Sequence, residues 1–224
     1  MSAQYIVLLI GLGLFFILSG IEIYFGFIED EKNRKRWKVF PTLVLGLTLG
    51  IAFYNHPYVY IALLLGFIGD LLLIWEYNDI SFIAGSLCFF IGHIFYTIEM
   101  VIDNNADFPW YFFVSLVAAW LIFLLILFLT LRKKLKKIYV LFGASFYFII
   151  LFINLAITII LGVNNVNNYL FICSTGYVLF ILSDTLLSYK LFFKEFKMDD
   201  FYIMFTYLLA QLLISIGLVL PFLK

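Results

Sequence analysis

The segment Tyr58–Glu76 is apolar and long enough to cross a lipid bilayer, yet it carries a carboxylate, Asp70, in its interior. An ionised group at that depth costs several kcal/mol unless another group compensates it, and such residues usually mark function. A second apolar segment repeats the feature, because Ser183-Asp184 followed by Thr-Leu-Leu mirrors Gly69-Asp70 followed by three leucines. We therefore expect the fold to bring Asp70 and Asp184 together.

The composition excludes a soluble domain. The chain has 224 residues, of which 65% are hydrophobic and 12% charged, whereas about a quarter of the residues of a soluble domain are charged. Eight segments qualify as membrane spans, and none has the alternating pattern of a barrel strand. The sequence thus predicts an all-α fold, a polytopic membrane bundle of eight transmembrane helices, as a single domain over residues 1–224. The predicted spans are Tyr5–Ile28, Val39–Tyr54, Tyr58–Glu76, Ser81–Ile102, Phe108–Leu131, Ile138–Gly162, Asn168–Tyr189 and Asp200–Phe222.

The basic residues predict the orientation of this bundle. Thirteen of the 14 Lys and Arg residues follow the first, fifth and seventh spans, and the exception is the C-terminal Lys224. With eight helices these three clusters fall on one face, which the positive-inside rule assigns to the cytoplasm. Both termini are then predicted to be non-cytoplasmic. The clusters could also bind anionic lipid headgroups, so that interpretation stays open beside the topological one. Which membrane houses the protein is not indicated.

The two halves of the chain have similar plans. Each half has four predicted spans, a basic loop after its first span and an aspartate on its third. This pattern is typical of a 4+4 parallel repeat about an axis along the membrane normal. Apolar sequences also match by chance, so duplication and coincidence both stay open.

Three acidic residues share one predicted depth. Asp70, Asp184 and Glu22 each lie about six residues before the cytoplasmic end of a predicted helix, roughly 9 Å along its axis. Any one of them could be a structural partner for a neighbouring polar side chain. Three at a common depth favour a polar cavity in the cytoplasmic half of the protein.

Other polar residues could complete this cavity. Lys38, at the cytoplasmic mouth of the second span, is either one more topology charge or a cation over the acids. His93, near mid-bilayer, is either a hydrogen-bonded core residue or a group that orients water and moves protons. Tyr96 and Ser183 are candidates for the polar lining.

The sequence gives little support for a metal centre. Catalytic zinc has about three protein ligands, most often histidines, and this chain has two histidines. His56 lies beside Pro57 in an outer loop, and Glu99, nearer the outer end, is interpreted as reaching the membrane interface. We predict no metal and no cofactor, although a metal held by carboxylates alone is not excluded.

These residues resemble a known family. Lys38-x-x-Pro41, Gly69-Asp70, Gly92-His93-x-x-Tyr96 and Ser183-Asp184, in this order within eight spans, resemble the YhhN-type lysoplasmalogenase family of integral membrane proteins. The resemblance implies hydrolysis of the vinyl-ether bond of lysoplasmalogens to a fatty aldehyde and glycerophosphocholine or glycerophosphoethanolamine. It also implies that Asp70 and Asp184 are catalytic, with Lys38, His93 and Tyr96 in supporting roles.

The chemistry suits two carboxyl groups. Hydrolysis of a vinyl ether begins with protonation of carbon, which leaves an oxocarbenium ion. One carboxylic acid can deliver that proton, and an ionised carboxylate can stabilise the cation and activate water, as glycosidases do. Two close acids in a low-dielectric pocket do not both ionise easily, so one is expected to keep its proton. The sequence leaves open which aspartate does so.

The expected partners are therefore a lysophospholipid substrate and the bilayer, with no nucleic acid and an undetermined oligomeric state. The competing hypothesis is a transporter or lipid translocator in which Asp70, Asp184 and Glu22 relay protons or bind a cation. The four prolines all lie at span ends, which weighs against the broken helices of transporters. A structural scaffold with buried polar residues is the third hypothesis.

Overall fold

The computed structural model describes residues 3–75, 78–104, 117–118, 121, 125, 138–165 and 168–223. Within these ranges the chain is helical and contains no strand. The α-helices are α1 (Ala3–Phe27), α2 (Glu31–Trp37), α3 (Phe40–Ala52), α4 (Pro57–Leu72), α5 (Asp79–Asp103), α6 (Ile138–Asn165), α7 (Asn168–Phe192) and α8 (Asp199–Val219). Short 3-10 turns follow α4 (Leu73–Trp75) and α8 (Leu220–Phe222).

The all-helical, multi-pass membrane architecture is confirmed, but the count of spans is not. Six helices among the described residues are long and apolar enough to cross a membrane. The predicted second span corresponds to α3, whose 13 residues extend roughly 20 Å, less than the ~30 Å of a bilayer core. The predicted fifth span, Phe108–Leu131, and the basic loop after it fall almost wholly outside the described residues. Eight spans and the 4+4 repeat therefore stay predictions.

A short helix, α2, replaces part of the loop predicted after the first span. Asp30 caps it by accepting a hydrogen bond from the Asn33 amide at 3.1 Å, and the Asn33 side chain donates a second bond. Hydrogen bonds from Asn33 hold the pKa of the Asp30 carboxyl below its usual value. The Lys35 ammonium pairs with the Glu31 carboxylate one turn earlier, which supports the helix. This capped turn positions Arg34 and Lys38 at the entrance of the bundle.

Among the described helices, neighbours in the series α1, α3, α4, α5, α6, α7 and α8 pack against each other. The last helix of the series, α8, also contacts α1. α8 also touches α3 and α4. In its most apolar stretch of 18 residues, 72% of the residues are buried inside the protein, against 28% in the corresponding stretch of α1. α8 is thus the most enclosed helix of the described chain, while α1 presents most of its surface outward.

Among the described helices, α7 and α8 form the most extensive interface, and small residues bring them close. A Cβ atom on Gly176 would lie 2.7 Å from the Ile214 side chain and 2.9 Å from its backbone nitrogen. A Cβ atom on Gly217 would lie 2.5 Å from the Cys173 sulfur. Close approach through small residues is the usual way in which membrane helices associate. This contact sets the position of Asp184 on α7 relative to the polar residues of α8.

The bundle has two chemically distinct ends. The basic end, as we call it, contains α2, the beginning of α3 and the junction of α7 with α8, and it carries Arg34, Lys38 and Lys190. The opposite end contains the beginning of α4 and the end of α5, with His56 and Asp103. Which end faces the cytoplasm stays a prediction from the charge pattern.

Candidate active site

Asp70 and Asp184 line the same cavity near the basic end. Asp70 lies at the end of α4, Asp184 lies on α7, and the two carboxyl groups are close enough to interact electrostatically. The space between the lining residues is about 30 Å³, enough for a water molecule. Two acids and a water site are therefore held together by helices that are far apart in the sequence. The other polar residues of the lining are Arg34, Lys38, Ser183, Asp200 and Tyr207.

The carboxylate of Asp70 is held by two hydroxyl groups. Thr42 Oγ1 on α3 and Tyr207 OH on α8 each donate a hydrogen bond of 2.8 Å to Asp70 Oδ2. Asp70 itself is 2% exposed. Hydrogen bonds donated to a carboxylate stabilise its ionised form and fix its orientation. Asp70 is thus arranged to carry a negative charge at a defined position.

A chain of hydrogen bonds extends from Asp70 into the bundle. Tyr207 OH accepts a bond from Gln211 Nε2 at 3.2 Å, and Gln211 Oε1 accepts one from Tyr96 OH at 3.3 Å. Tyr96 is on α5, and Tyr207 and Gln211 are one turn apart on α8. The predicted site residue Tyr96 therefore reaches Asp70 through two intermediaries rather than directly.

Asp184 has different surroundings. Its Oδ2 atom is buried and has no hydrogen-bond partner among the described residues. The hydroxyl of Tyr147 on α6 interacts with the Asp184 carboxyl, but the two do not form a hydrogen bond of ordinary geometry. One carboxyl group is thus well supplied with donors and the other is not. This asymmetry is the chief difference between the two aspartates.

Glu22 and Lys38 add a negative and a positive charge beside Asp70. Glu22 on α1 is completely buried, neither carboxylate oxygen has a hydrogen-bond partner in the described chain, and it interacts electrostatically with Asp70 and Lys38. Lys38 is 5% exposed, and its ammonium donates to the Leu73 carbonyl at 3.2 Å. The fold thus brings Glu22 and Lys38 to Asp70, and of the two only Lys38 lines the cavity.

A second group of charges closes the cavity at the basic end. Arg34 Nε lies 3.0 Å from Asp200 Oδ2, and the Lys190 ammonium lies 2.7 Å from Asp200 Oδ1 and 3.4 Å from Asp199 Oδ1. Arg34 is 2% exposed. These pairs tie α2, α7 and α8 together around the mouth of the cavity.

The structure places His93 apart from the carboxyl groups. Its ring packs edge-on against Phe180 with 4.7 Å between centroids and also contacts Tyr96, Tyr147 and Tyr177. It does not line the cavity, although Tyr147 contacts both His93 and Asp184. Among the described residues, His93 Nδ1 has no hydrogen-bond partner. His93 therefore occupies an aromatic enclosure behind the site.

Ser183 lines the cavity, but its hydroxyl is already engaged in a structural hydrogen bond, because it donates to the Ile203 carbonyl at 3.0 Å.

Three residues of the site, Thr42, Tyr147 and Tyr207, were not predicted from the sequence. Tyr207, Gln211 and Ser215 recur every fourth residue on the last helix, which places them on one face. That stripe was the available signal for Tyr207. Thr42 and Tyr147 offered no comparable pattern.

The YhhN family profile matches residues 33–218. The chain belongs to the YhhN family. The matched region includes Lys38, Asp70, His93 and Asp184, whereas Glu22 precedes it. Searches among curated proteins and among solved structures gave no match. The family membership and the apolar helices together identify a multi-pass membrane protein of the YhhN family.

Proposed function

We propose that the protein is a membrane hydrolase that cleaves the vinyl-ether bond of lysoplasmalogens, with Asp70 and Asp184 as the catalytic pair. The observation that carries the proposal is the cavity that both carboxyl groups line at the basic end. Membership of the YhhN family is consistent with this reaction. Acid hydrolysis of a vinyl ether needs one proton donor and one carboxylate, and the two aspartates differ in the way that this division of labour requires.

Asp184 is the better candidate for the proton donor. Only the Tyr147 hydroxyl interacts with its carboxyl group, without a hydrogen bond of ordinary geometry, and the buried Oδ2 atom has no hydrogen-bond partner among the described residues. Asp70 is the better candidate for the ionised partner, since Thr42 and Tyr207 donate to one of its oxygens and the Lys38 cation lies nearby. The two environments thus supply the acid and the base of one reaction.

The proposed reaction consumes one water molecule. Asp184 transfers its proton to the vinyl carbon that is not bonded to oxygen, and the adjacent carbon becomes an oxocarbenium ion. Water adds to that carbon and loses a proton to Asp70, which gives a hemiacetal. As the hemiacetal collapses, the acid form of Asp70 protonates the departing glycerol oxygen, and the hemiacetal hydroxyl gives its proton to the ionised Asp184. The fatty aldehyde and the alcohol are released with both aspartates back in their starting states, so no cofactor is needed.

A polar cleft next to the cavity suits the headgroup of the substrate. This cleft has a volume of about 590 Å³ and shares Asp200 with the cavity. Acidic residues of its lining match an ammonium group, and lysines match a phosphate, as a zwitterionic glycerophospho headgroup requires. The lining includes Glu29, Glu31, Glu195, Lys190, Lys197 and Asp199.

The cavity must open for the vinyl ether to reach the carboxyl groups. Its volume of about 30 Å³ is far smaller than a lipid chain, and Leu187 and Met204 form part of its apolar wall. Methionine has a flexible side chain that adapts to different shapes. Displacement of such side chains by the single acyl-like chain of the substrate is part of the proposal.

The alternative function is a proton- or cation-coupled transporter or lipid translocator. The observation that favours it is the row of buried groups from Tyr96 through Gln211 and Tyr207 to Asp70, with Glu22 beside it. Such rows can relay protons in membrane proteins. Aldehyde release and ion flux distinguish the two functions.

The purified protein in nanodiscs is incubated with a lysoplasmalogen, and fatty aldehyde is measured. The matched control substrate has the same headgroup and chain but a saturated ether. We expect aldehyde from the vinyl ether only, with losses of at least about 100-fold in Asp70→Asn and Asp184→Asn. Melting temperatures and size-exclusion profiles of the variants check that they fold.

Lack of turnover by the wild-type protein would contradict the hydrolase. So would near wild-type rates in a folded Asp70→Asn or Asp184→Asn variant. Proton or cation flux in liposomes that depends on these aspartates, in the absence of turnover, would establish the transporter instead.

A further inference from the structure

We propose that His56, Glu99 and Asp103, which we call the His56 cluster, bind a divalent metal ion at the end of the bundle opposite the active site. His56 precedes the first residue of α4, and Glu99 and Asp103 are one turn apart at the end of α5. Residues four apart on a helix share one face. The loop before α4 thus meets the two carboxyl groups of α5 at a single point.

The donor atoms of the cluster converge. His56 Nδ1 lies 2.6 Å from Glu99 Oε1 and 3.6 Å from Asp103 Oδ2, and one ligand atom from each residue lies within 4.8 Å of the others. Metal–ligand distances of about 2.0–2.2 Å in a tetrahedral site place ligands roughly 3.4 Å apart. His56 Nδ1 and Glu99 Oε1, now 2.6 Å apart, would have to move apart by roughly 0.8 Å, which small side-chain rotations allow.

A second observation points to a ligand. Glu99 is only 3% exposed, yet its Oε2 atom is buried without a hydrogen-bond partner in the described part of the chain. The Glu99 and Asp103 carboxyl groups also lie close enough to interact directly. Two adjacent carboxylates in a buried position need a proton or a cation between them. A bound cation would satisfy the orphaned Glu99 oxygen as well.

The donor set indicates the class of ion. One imidazole nitrogen with two carboxylates suits first-row divalent metals such as Zn²⁺ better than Mg²⁺ or Ca²⁺, which prefer oxygen ligands alone. Three protein ligands leave at least one position for water. A cavity of about 520 Å³, lined by His56 and Phe222 among others, lies on the His56 side of the cluster.

This site is separate from the proposed catalytic pair. Asp70 follows His56 by 14 residues, almost all of them on α4, which corresponds to roughly 20 Å along the helix. The metal would tie the α3–α4 connection to the end of α5. Its expected role is to stabilise this end of the bundle, so its test does not depend on turnover.

The test measures zinc binding to the full-length protein in detergent. Protein stripped with a chelator is titrated with Zn²⁺, and bound metal is counted by mass spectrometry. We expect one Zn²⁺ per chain, a melting temperature that rises with Zn²⁺ but not with Mg²⁺, and at least tenfold weaker binding in Glu99→Gln and Asp103→Asn. Glu31→Gln, the same change on an exposed residue at the basic end, is the matched control.

The proposal is overturned if the wild-type protein retains no zinc, which would make the cluster an internal ion pair only. It is also overturned if either folded variant binds Zn²⁺ as tightly as the wild type, or if the Glu31→Gln control loses as much. Should Glu99→Gln fail to fold, Asp103→Asn decides the question, because Asp103 is 18% exposed and its truncation removes less buried contact.

Discussion

Replacement of Tyr207 by phenylalanine tests whether the hydrogen bonds on Asp70 serve the reaction. The change removes a 2.8 Å bond to Asp70 Oδ2 and the acceptor for Gln211 Nε2, and it keeps the ring and its packing. A hydrogen bond to a charged group contributes about 1.5–3 kcal/mol. If that stabilisation is made in the transition state and not in the bound ground state, its loss should lower kcat roughly 10- to 160-fold. Thr42 still donates to the same oxygen, so we expect part of the activity to remain.

The assay is aldehyde release from lysoplasmalogen in nanodiscs at saturating substrate. Tyr202→Phe is the control, because it makes the same change on the same helix at a residue that is 46% exposed. Melting temperatures separate loss of chemistry from loss of fold. A folded Tyr207→Phe variant with kcat within about threefold of wild type would refute the assigned role of this hydroxyl.

Two further predictions concern stability. Arg34→Gln should lower the free energy of unfolding by about 3 kcal/mol, and with it the melting temperature, because it breaks a buried ion pair with Asp200. The control Arg36→Gln, at an exposed residue, should change the melting temperature little. Equal melting temperatures of the two variants would contradict this prediction. Gly69→Ala should cost about 1–3 kcal/mol, because its Cβ would lie 2.7 Å from the Phe89 ring. Gly20→Ala has open space around it and should instead stabilise the protein by about 0.5–1 kcal/mol. Thermal unfolding of both variants checks this, and a Gly69→Ala variant that is not destabilised would refute the packing.

Depth along a helix could be predicted from the sequence, but rotation about the helix axis could not. Counting residues from the span ends placed Asp70, Asp184 and Glu22 in one layer, and the structure brings Glu22 and Asp184 each within electrostatic reach of Asp70. The sequence left open whether His93 is a core residue or faces the carboxyl groups, and its ring lies in an aromatic enclosure. In a membrane both the lipid-facing and the packed surfaces of a helix are apolar, so periodicity does not reveal which side is buried.

The same limit explains the other differences. α8 is strongly apolar, only somewhat less so than α1, so its hydropathy did not mark it as the enclosed helix. Glu99 was expected to reach the interface, but it is buried against His56, 43 residues away. A contact between two elements so far apart in sequence depends on how the helices pack, which local patterns do not encode.

The central claim is that Asp70 and Asp184 act as one catalytic unit in a shared cavity. The most direct test compares kcat for aldehyde release in Asp70→Asn, Asp184→Asn and the double variant, with folding checked for each. Residues that act together are strongly non-additive, so the double variant should be no slower than the slower single variant. A double variant whose loss equals the product of the two single losses would show that the two carboxyl groups act independently, and would contradict the account.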